Sequence, residues 1–404
     1  MSPDQIRPSG KGSALEVLLI FLKLGLSCFG GPIAHIGYFR DEFVTRRRWL
    51  DEQAYADLVG LCQFLPGPAS SQVGFSIGLM RAGYVGGLAA WTGFTLPSAI
   101  VLLLFAYGVG SLGGPIGGGL LHGLKLVAVA IVAQAVWGMA RSLTPDRERA
   151  SIAAVAALII LFSTSSVAQI AAILLGAVAG LVLCRDAPPA AGGTVAMPIS
   201  RGAGLIALTA FAVLLAAVLL LSGHLGSQGF DLFAAFYRSG ALVFGGGHVV
   251  LPLLREAFVA PGWIGDDAFL AGYGAAQAVP GPLFTFSAYL GAMVTPTPHG
   301  VAGAALGLFS IFLPGILILI GTLPFWDTFR TRSSAQAAMR GVNAAVVGIL
   351  GAALYNPLWT TSVRSSGDFA VALACFVLLV AWRAPPLVVV LVSACGGIVL
   401  ALWA

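Results

Sequence analysis

Phe29-Gly30-Gly31-Pro32, followed by Pro66-Gly67-Pro68, recurs later in the chain as Phe244-Gly245-Gly246-Gly247, followed by Pro280-Gly281-Pro282. Both pairs lie inside apolar sequence, where glycine and proline interrupt a helix at a cost that a specific local geometry must offset. Working outward from these breaks, an offset of 215 sets Lys23 against Arg238, Gly25 against Gly240, Arg40 against Arg255 and Asp41 against Glu256. After one deletion, an offset of 214 sets Trp49 against Trp263, Gln63 against Gln277, and one Pro-Gly-Pro triplet against the other. Further on, Pro97 meets Pro314 and Gly123 meets Gly341. The chain is an internal duplication along nearly its whole length.

Composition fixes the solvent. Of 404 residues, 58% are hydrophobic and 9% charged, more apolar surface than a water-soluble domain can bury, so the class is a polytopic membrane protein in a lipid bilayer. The net charge of +5 is spread over short connectors, with no basic arm, so it orients the chain in the membrane and does not point to nucleic acid. Five cysteines, Cys28, Cys62, Cys184, Cys375 and Cys395, stand singly without CxxC spacing, so neither a disulfide framework nor a zinc site is indicated, and no metal or cofactor is expected. Met1 to Ser13 is polar, carries Arg7 and Lys11 and lacks a small-residue cleavage site, which reads as a cytoplasmic tail over 1–14.

A crossing takes about 20 apolar residues. Segments fall near 15–43, 52–80, 84–111, 117–141, 150–163 and 166–184, forming a first repeat over 15–185. A breaker-rich linker, 186–203, leads to one extra span, 204–223, and a second repeat over 229–404 follows with segments near 229–258, 266–293, 299–323, 335–357, 367–382 and 386–403. The fold expected is all-α, with two inverted-topology repeats of about six segments and broken or re-entrant helices, because one extra helix between equal halves turns the second upside down. The segments 15–43 and 52–80 would each be about 43 Å long as straight helices, against a hydrocarbon core of about 30 Å. They are either re-entrant hairpins or long, tilted, kinked helices. With spanning helices, 13 Lys and Arg fall inside and six outside, with Arg46-Arg47-Arg48 stranded outside; with hairpins the split is 16 to three. The positive-inside rule therefore favours hairpins, a cytoplasmic N-terminus and an external C-terminus.

Helix N-termini at such breaks offer free N–H groups and a partial positive charge, which suits phosphate-like anions. The candidate substrate-binding residues are accordingly Gly30, Gly31, Gln63, Pro66, Gly67, Pro68, Ser70 and Ser71, with Gly245, Gly246, Gln277, Pro280, Gly281, Pro282 and Thr285 in the second half. Ser287 is a further hydroxyl in that second segment. Lys23 and Arg238, six residues before the Phe-Gly-Gly breaks, are the intramembrane cations expected to hold a dianion, snorkelling to an interface being the alternative. Gating or coupling candidates are His35, His248, Arg40, Arg255 and Asp57. Arg40 and Arg255 also lie beside Asp41 and Glu256, so a local salt bridge closing a hairpin is equally open, and Asp57 faces Ala271 in the second half. Lys125, opposite Asn343, reads as interfacial. No metalloprotease helix, phosphate loop or Ser-His-Asp set is present, so no enzyme is expected.

The runs Lys23-Leu-Gly-Leu-Ser-Cys-Phe-Gly-Gly-Pro32 and Gln63-Phe-Leu-Pro-Gly-Pro68, with their second-half counterparts, resemble the chromate ion transporter family in its long, two-domain form. The resemblance departs at Gly247, where the first half has Pro32. It implies efflux of chromate from the bacterial cytoplasm across the inner membrane, giving chromate resistance. The implied driving force is the membrane potential or the proton gradient, with sulfate as a related or competing ion. Sulfate or other oxyanion uptake and a passive anion channel are the rival readings. Among symmetric assemblies a two-fold pair is the commonest, so a homodimer is the form to test.

Overall fold

A computed structural model of the chain describes residues 12–29, 31–109, 114–163, 166–185, 199–244, 247–295, 297–326 and 332–403. The tail 1–11, most of the linker (186–198), and Gly30, Gly245 and Gly246 of the breaks lie outside the described residues. Among the described residues every regular element is helical. Helices long and apolar enough to cross a membrane are Ala69–Val109, Gly114–Leu143, Arg201–Leu221, Gly300–Phe325, Ser333–Ser362 and Pro386–Trp403. The protein is a polytopic helical membrane protein.

In the first repeat, α1 (Ala14–Ser27) begins at Ser13, whose hydroxyl accepts from the Glu16 N–H, and ends at the first break. α2 (Gly31–Arg40) leaves that break and runs into a wide turn over Asp41–Arg46. α3 (Glu52–Phe64), capped by Asp51, leads to Pro66-Gly67-Pro68. α4 (Ala69–Val109) follows as two arms, α4a over 69–81 and α4b over 84–109, which meet at Ala82 and Gly83. Gly83 has φ +67° and ψ −161°, a conformation that suits glycine. The arms fold back on one another there, because a Cβ on either Gly78 or Gly86 would run into the other's carbonyl oxygen.

The broken segments are hairpins. Glu16, at the start of α1, lies 3.2 Å from the Arg81 guanidinium at the end of α4a and 4.0 Å from Arg47 in the α2–α3 connector. Arg81 also sits 4.7 Å over the Trp49 ring, and its carbonyl accepts from the Gly12 N–H at 3.1 Å. The start of α1, the α2–α3 connector and the end of α4a thus share one face, so α1–α2 and α3–α4a each enter and return. With 14 residues, α1 is about 21 Å long, too short for a core of about 30 Å. Phe21 of α1 stacks on Phe43 at 5.1 Å and meets Phe39 edge-on at 5.5 Å, which zips the first hairpin. Arg46 to Arg48 therefore lie on the same face as the start of α1, as the charge distribution requires.

α5 (Gly114–Leu143), α6 (Arg147–Phe162) and α7 (Ser166–Leu183) complete the first repeat, and α8 (Arg201–Leu221) connects it to the second. There α9 (Gln228–Ala241) and α10 (Val250–Phe258) form one hairpin, and α11 (Asp266–Ala278) and α12 (Phe286–Met293) the other. Phe236 and Phe258 stack at 4.4 Å across the first of these. α13 (Gly300–Thr322), α14 (Ser333–Ala353), α15 (Ser366–Val380) and α16 (Pro386–Trp403) follow. Thr295 donates to the Trp263 carbonyl at 3.0 Å, while Tyr107, near the end of α4b, lies against Gly300. The second pair of hairpins therefore opens onto the face where α4b ends, opposite the first pair, and the repeats run in opposite directions.

The last helices of the two halves are exchanged. α5 packs on α15 and α16 of the other repeat, with the Ser393 hydroxyl on the Gly123 carbonyl at 2.8 Å. α14 packs in the same way on α6 and α7, where Gly341 meets Gly176 and Gly180. Glycine contacts of this kind let helix backbones approach closely in lipid, where hydrophobic attraction between helices is lost.

Candidate functional site

The two Pro-Gly-Pro triplets meet the opposite repeat at the centre of the molecule. The Gly67 N–H donates to the Val243 carbonyl at 2.7 Å, and the Gly281 N–H donates to the Cys28 carbonyl at 2.9 Å. These bonds are repeat-equivalent, since Cys28 corresponds to Val243 and Gly67 to Gly281. Both glycines have positive φ, +116° and +101°. Neither has room for a side chain: a Cβ on Gly67 would lie 2.9 Å from Gly315 Cα, and one on Gly281 would lie 2.8 Å from the Ser98 hydroxyl. Gly315 and Ser98 follow Pro314 and Pro97, which stand inside α13 and α4b.

Four helices begin at these tips, α2 and α4a in one repeat and α10 and α12 in the other, so their unpaired N–H groups converge there. The surroundings differ between repeats. Around the first-repeat tip, His35, Ser70, Ser71 and Gln72 are all buried, as is Thr95 on α4b. His35 Nδ1 lies 3.4 Å from the Ser70 hydroxyl, and the ring meets Phe94 edge-on at 5.1 Å. Gln72 donates to the Pro66 and Gly315 carbonyls at 3.0 and 2.9 Å, which fastens the triplet to α13. Left buried without a hydrogen-bond partner among the described residues are His35 Nε2, Ser71 Oγ, Gln72 Oε1 and Thr95 Oγ1. Unpaired polar atoms are costly in an interior, and several near one helix N-terminus fit a polar ligand or water.

The equivalent positions in the second repeat are Val250, Phe284, Thr285, Phe286 and Phe312. Phe284 meets Phe312 at 5.8 Å, and Phe286 stacks on Tyr289 at 5.9 Å. The Thr285 hydroxyl is spent on the Pro282 carbonyl at 2.7 Å. At these matched positions one tip is polar and underpaired and the other carries aromatic rings, while the second-repeat segment also holds unpartnered Ser287 Oγ and Gln277 Nε2.

The structure brings some of the other sequence candidates to this centre and leaves others away from it. Gly31, with φ +77°, opens α2, and Pro68 caps α4a by accepting from the Gln72 N–H at 2.9 Å. Pro280, Gly281 and Pro282 form the second tip. Arg238 is half-buried on α9, five residues before Val243. Lys23 is exposed, in one stripe of α1 with Leu15, Leu19 and Leu26, as a snorkelling cation would be. Gln63 is exposed on α3, whereas Gln277 is half-buried on α11. Asp57 is half-buried, with Oδ2 unpartnered. His248 Nδ1 lies 2.7 Å from the Tyr273 hydroxyl. Buried Ser287 carries an unpartnered hydroxyl. Arg40 and Arg255 bridge to Glu52 and Asp266 at 2.6 and 2.8 Å, joining α2 to α3 and α10 to α11. Hairpin closure is thus their visible role, with partners across the connector.

Sequence reasoning missed a polar cluster between repeats. Lys125 of α5, buried, bonds Asp267 of α11 at 2.8 Å, and His122 bonds Asp368 of α15 at 2.6 Å. Lys125 is therefore a paired, packed residue. No offset could reveal these contacts, since they join α5 to helices of the other repeat. Gln72 and Thr95 were also missed; the polar run Ser70-Ser71-Gln72, opposite Phe284-Thr285-Phe286, was the available signal.

The family model described as chromate transporter matches residues 15–181 and again 230–398. The chain is 30% identical over 402 residues to the chromate transport protein of Pseudomonas aeruginosa, covering 93% of this chain and 89% of that one. It is 25% identical over 371 residues to the chromate transport protein of Cupriavidus metallidurans, covering 90% and 86%. It is 26% identical over 394 residues to the probable chromate transport protein of Synechococcus elongatus, covering 96% and 95%. No solved structure matches. Two matches of one transporter family, falling on the two helical repeats that meet at the Pro-Gly-Pro tips, make this chain a member of the chromate transporter family.

Proposed function

We propose that the protein exports chromate from the cytoplasm across the bacterial inner membrane by alternating access, with a single oxyanion site at the first-repeat tip. The carrying observation is the polar asymmetry: unpartnered His35 and Ser71 atoms near the α4a N-terminus, against Val250 and Thr285 at the matching positions. A tetrahedral dianion takes hydrogen bonds from hydroxyls and free amides and is favoured by a helix N-terminus. Ser70 and Ser71 supply hydroxyls and His35 a ring N–H. Arg238, whose helix leads to the Val243 carbonyl that holds Gly67, supplies the balancing charge. Sulfate has the same shape and charge and competes for the site. The arginine-rich connector 46–48 lies on the cytoplasmic side with the N-terminus, and the membrane potential or the proton gradient drives export.

Chromate flux in everted membrane vesicles tests this reading. Energised accumulation that sulfate inhibits and an uncoupler abolishes is expected. Sulfate movement in the opposite sense without chromate movement would mean an uptake carrier, and gradient-independent, non-saturating flux would mean a channel.

A further inference from the structure

Gly60 of α3 and Gly274 of α11 are repeat-equivalent at the 214 offset, and their surroundings are opposite. A Cβ on Gly274 would run into the Leu124 carbonyl oxygen of α5, whereas nothing lies within 4 Å of one built on Gly60. α11 is buried from Phe269 to Ala276, pressed onto α5 and joined to it by the Lys125–Asp267 pair. α3 instead exposes Gln53, Ala56, Gly60 and Gln63 along one side. The helix that corresponds to α5 is α14. With Gly123 set on Gly341, an offset of 218, Leu124 corresponds to Val342 and Lys125 to Asn343, while Asp267 corresponds to Gln53. Asn343 Oδ1 is buried without a partner, and Gln53 is exposed.

Two inverted copies of one sequence can exchange conformations, and the exchange generates the second state of a carrier from the first. We infer that the structure is the state closed by Lys125–Asp267, and that in the other state α3 docks on α14. Gly60 then lies on the Val342 backbone and the Gln53 amide donates to Asn343 Oδ1, while α11 leaves α5 and Lys125 separates from Asp267. The two gates have the same geometry and different chemistry, an ion pair on one face and an amide pair on the other. The inference rests on the alternating-access reading above and adds the residues that close each side.

Cysteine pairs test it in a background with the five native cysteines replaced. Gln53→Cys with Asn343→Cys is treated with a short thiol cross-linker in membranes, and the cross-link is read on gels alongside chromate flux. The expected result is a cross-link absent from either single variant, with loss of most flux and recovery on cleavage of the linker. Flux without a Q53C–N343C cross-link would overturn the gate assignment while leaving alternating access intact. Lys125→Cys with Asp267→Cys separates the two failures, because full flux through protein locked at that pair would overturn alternating access itself. Should the cysteine variants not transport, Gln53→Lys with Asn343→Asp supplies the second arm. The new ion pair should cut thiol labelling at Ala56→Cys severalfold relative to Ala56→Cys alone, and undiminished labelling would overturn the inference.

Discussion

Gly67 of the first repeat donates its backbone N–H to the carbonyl of Val243 in the second at 2.7 Å, and the equivalent Gly281 donates to Cys28 at 2.9 Å. The repeats are therefore bonded to each other at the points where their helices break. The geometry that exposes helix N-termini also holds the halves together.

Replacing Gly67 by alanine meets two penalties, a positive φ that costs roughly 1–2 kcal/mol outside glycine and a Cβ placed 2.9 Å from Gly315 Cα. G67A should lower the melting temperature of the purified protein and abolish flux. Gly37→Ala, with nothing within 4 Å, should leave both near wild type.

Ser70→Ala and Ser71→Ala each remove one donor from the proposed site. A hydrogen bond to a charged group is worth about 1.5–3 kcal/mol, so the apparent affinity for chromate should fall roughly ten- to hundredfold per donor. Thr285→Val in the second repeat should leave the concentration dependence of flux unchanged, because its hydroxyl serves the Pro282 carbonyl.

Arg238→Gln should abolish transport with the protein still inserted, and Lys23→Gln should retain most of it. Arg238 is half-buried on α9, whereas Lys23 stands in the exposed stripe of α1. Chromate resistance of cells expressing each variant, normalised to protein in the membrane, decides this.

The salt bridges of the two connectors should differ in worth. Arg40 and Glu52 are 50% and 58% exposed, Arg255 and Asp266 only 30% and 24%. The exposed pair should contribute at most about 1 kcal/mol in a double-mutant cycle. The more buried pair should exceed it, and a coupling at Arg40–Glu52 equal to or above that at Arg255–Asp266 would contradict the structure.

Much of this architecture was legible in the chain. The Gly-Gly and Pro-Gly-Pro breaks mark hairpin tips because few other residues turn a chain inside lipid, and Arg46 to Arg48 indicated that the segments return. What the sequence could not supply was packing between repeats. Lys125 meets Asp267, and Gly123 meets Ser393, only because each half lends its last helices to the other. The polar tip was half visible: Ser70, Ser71 and His35 stood out, but Gln72 and Thr95 acquire meaning only beside Phe286 and Phe312. Lys23 illustrates the limit. One-dimensional spacing equates it with Arg238, while the helical stripe it shares with Leu15, Leu19 and Leu26 turns it outward.

The central claim is a single oxyanion site at the first-repeat tip, and its most direct test is the stoichiometry of chromate or sulfate binding to the purified protein by equilibrium dialysis. One ion per chain, lost in the Ser70→Ala, Ser71→Ala double variant and retained in Thr285→Val, is the predicted result. Two ions per chain, or one that survives loss of both serines, would contradict it.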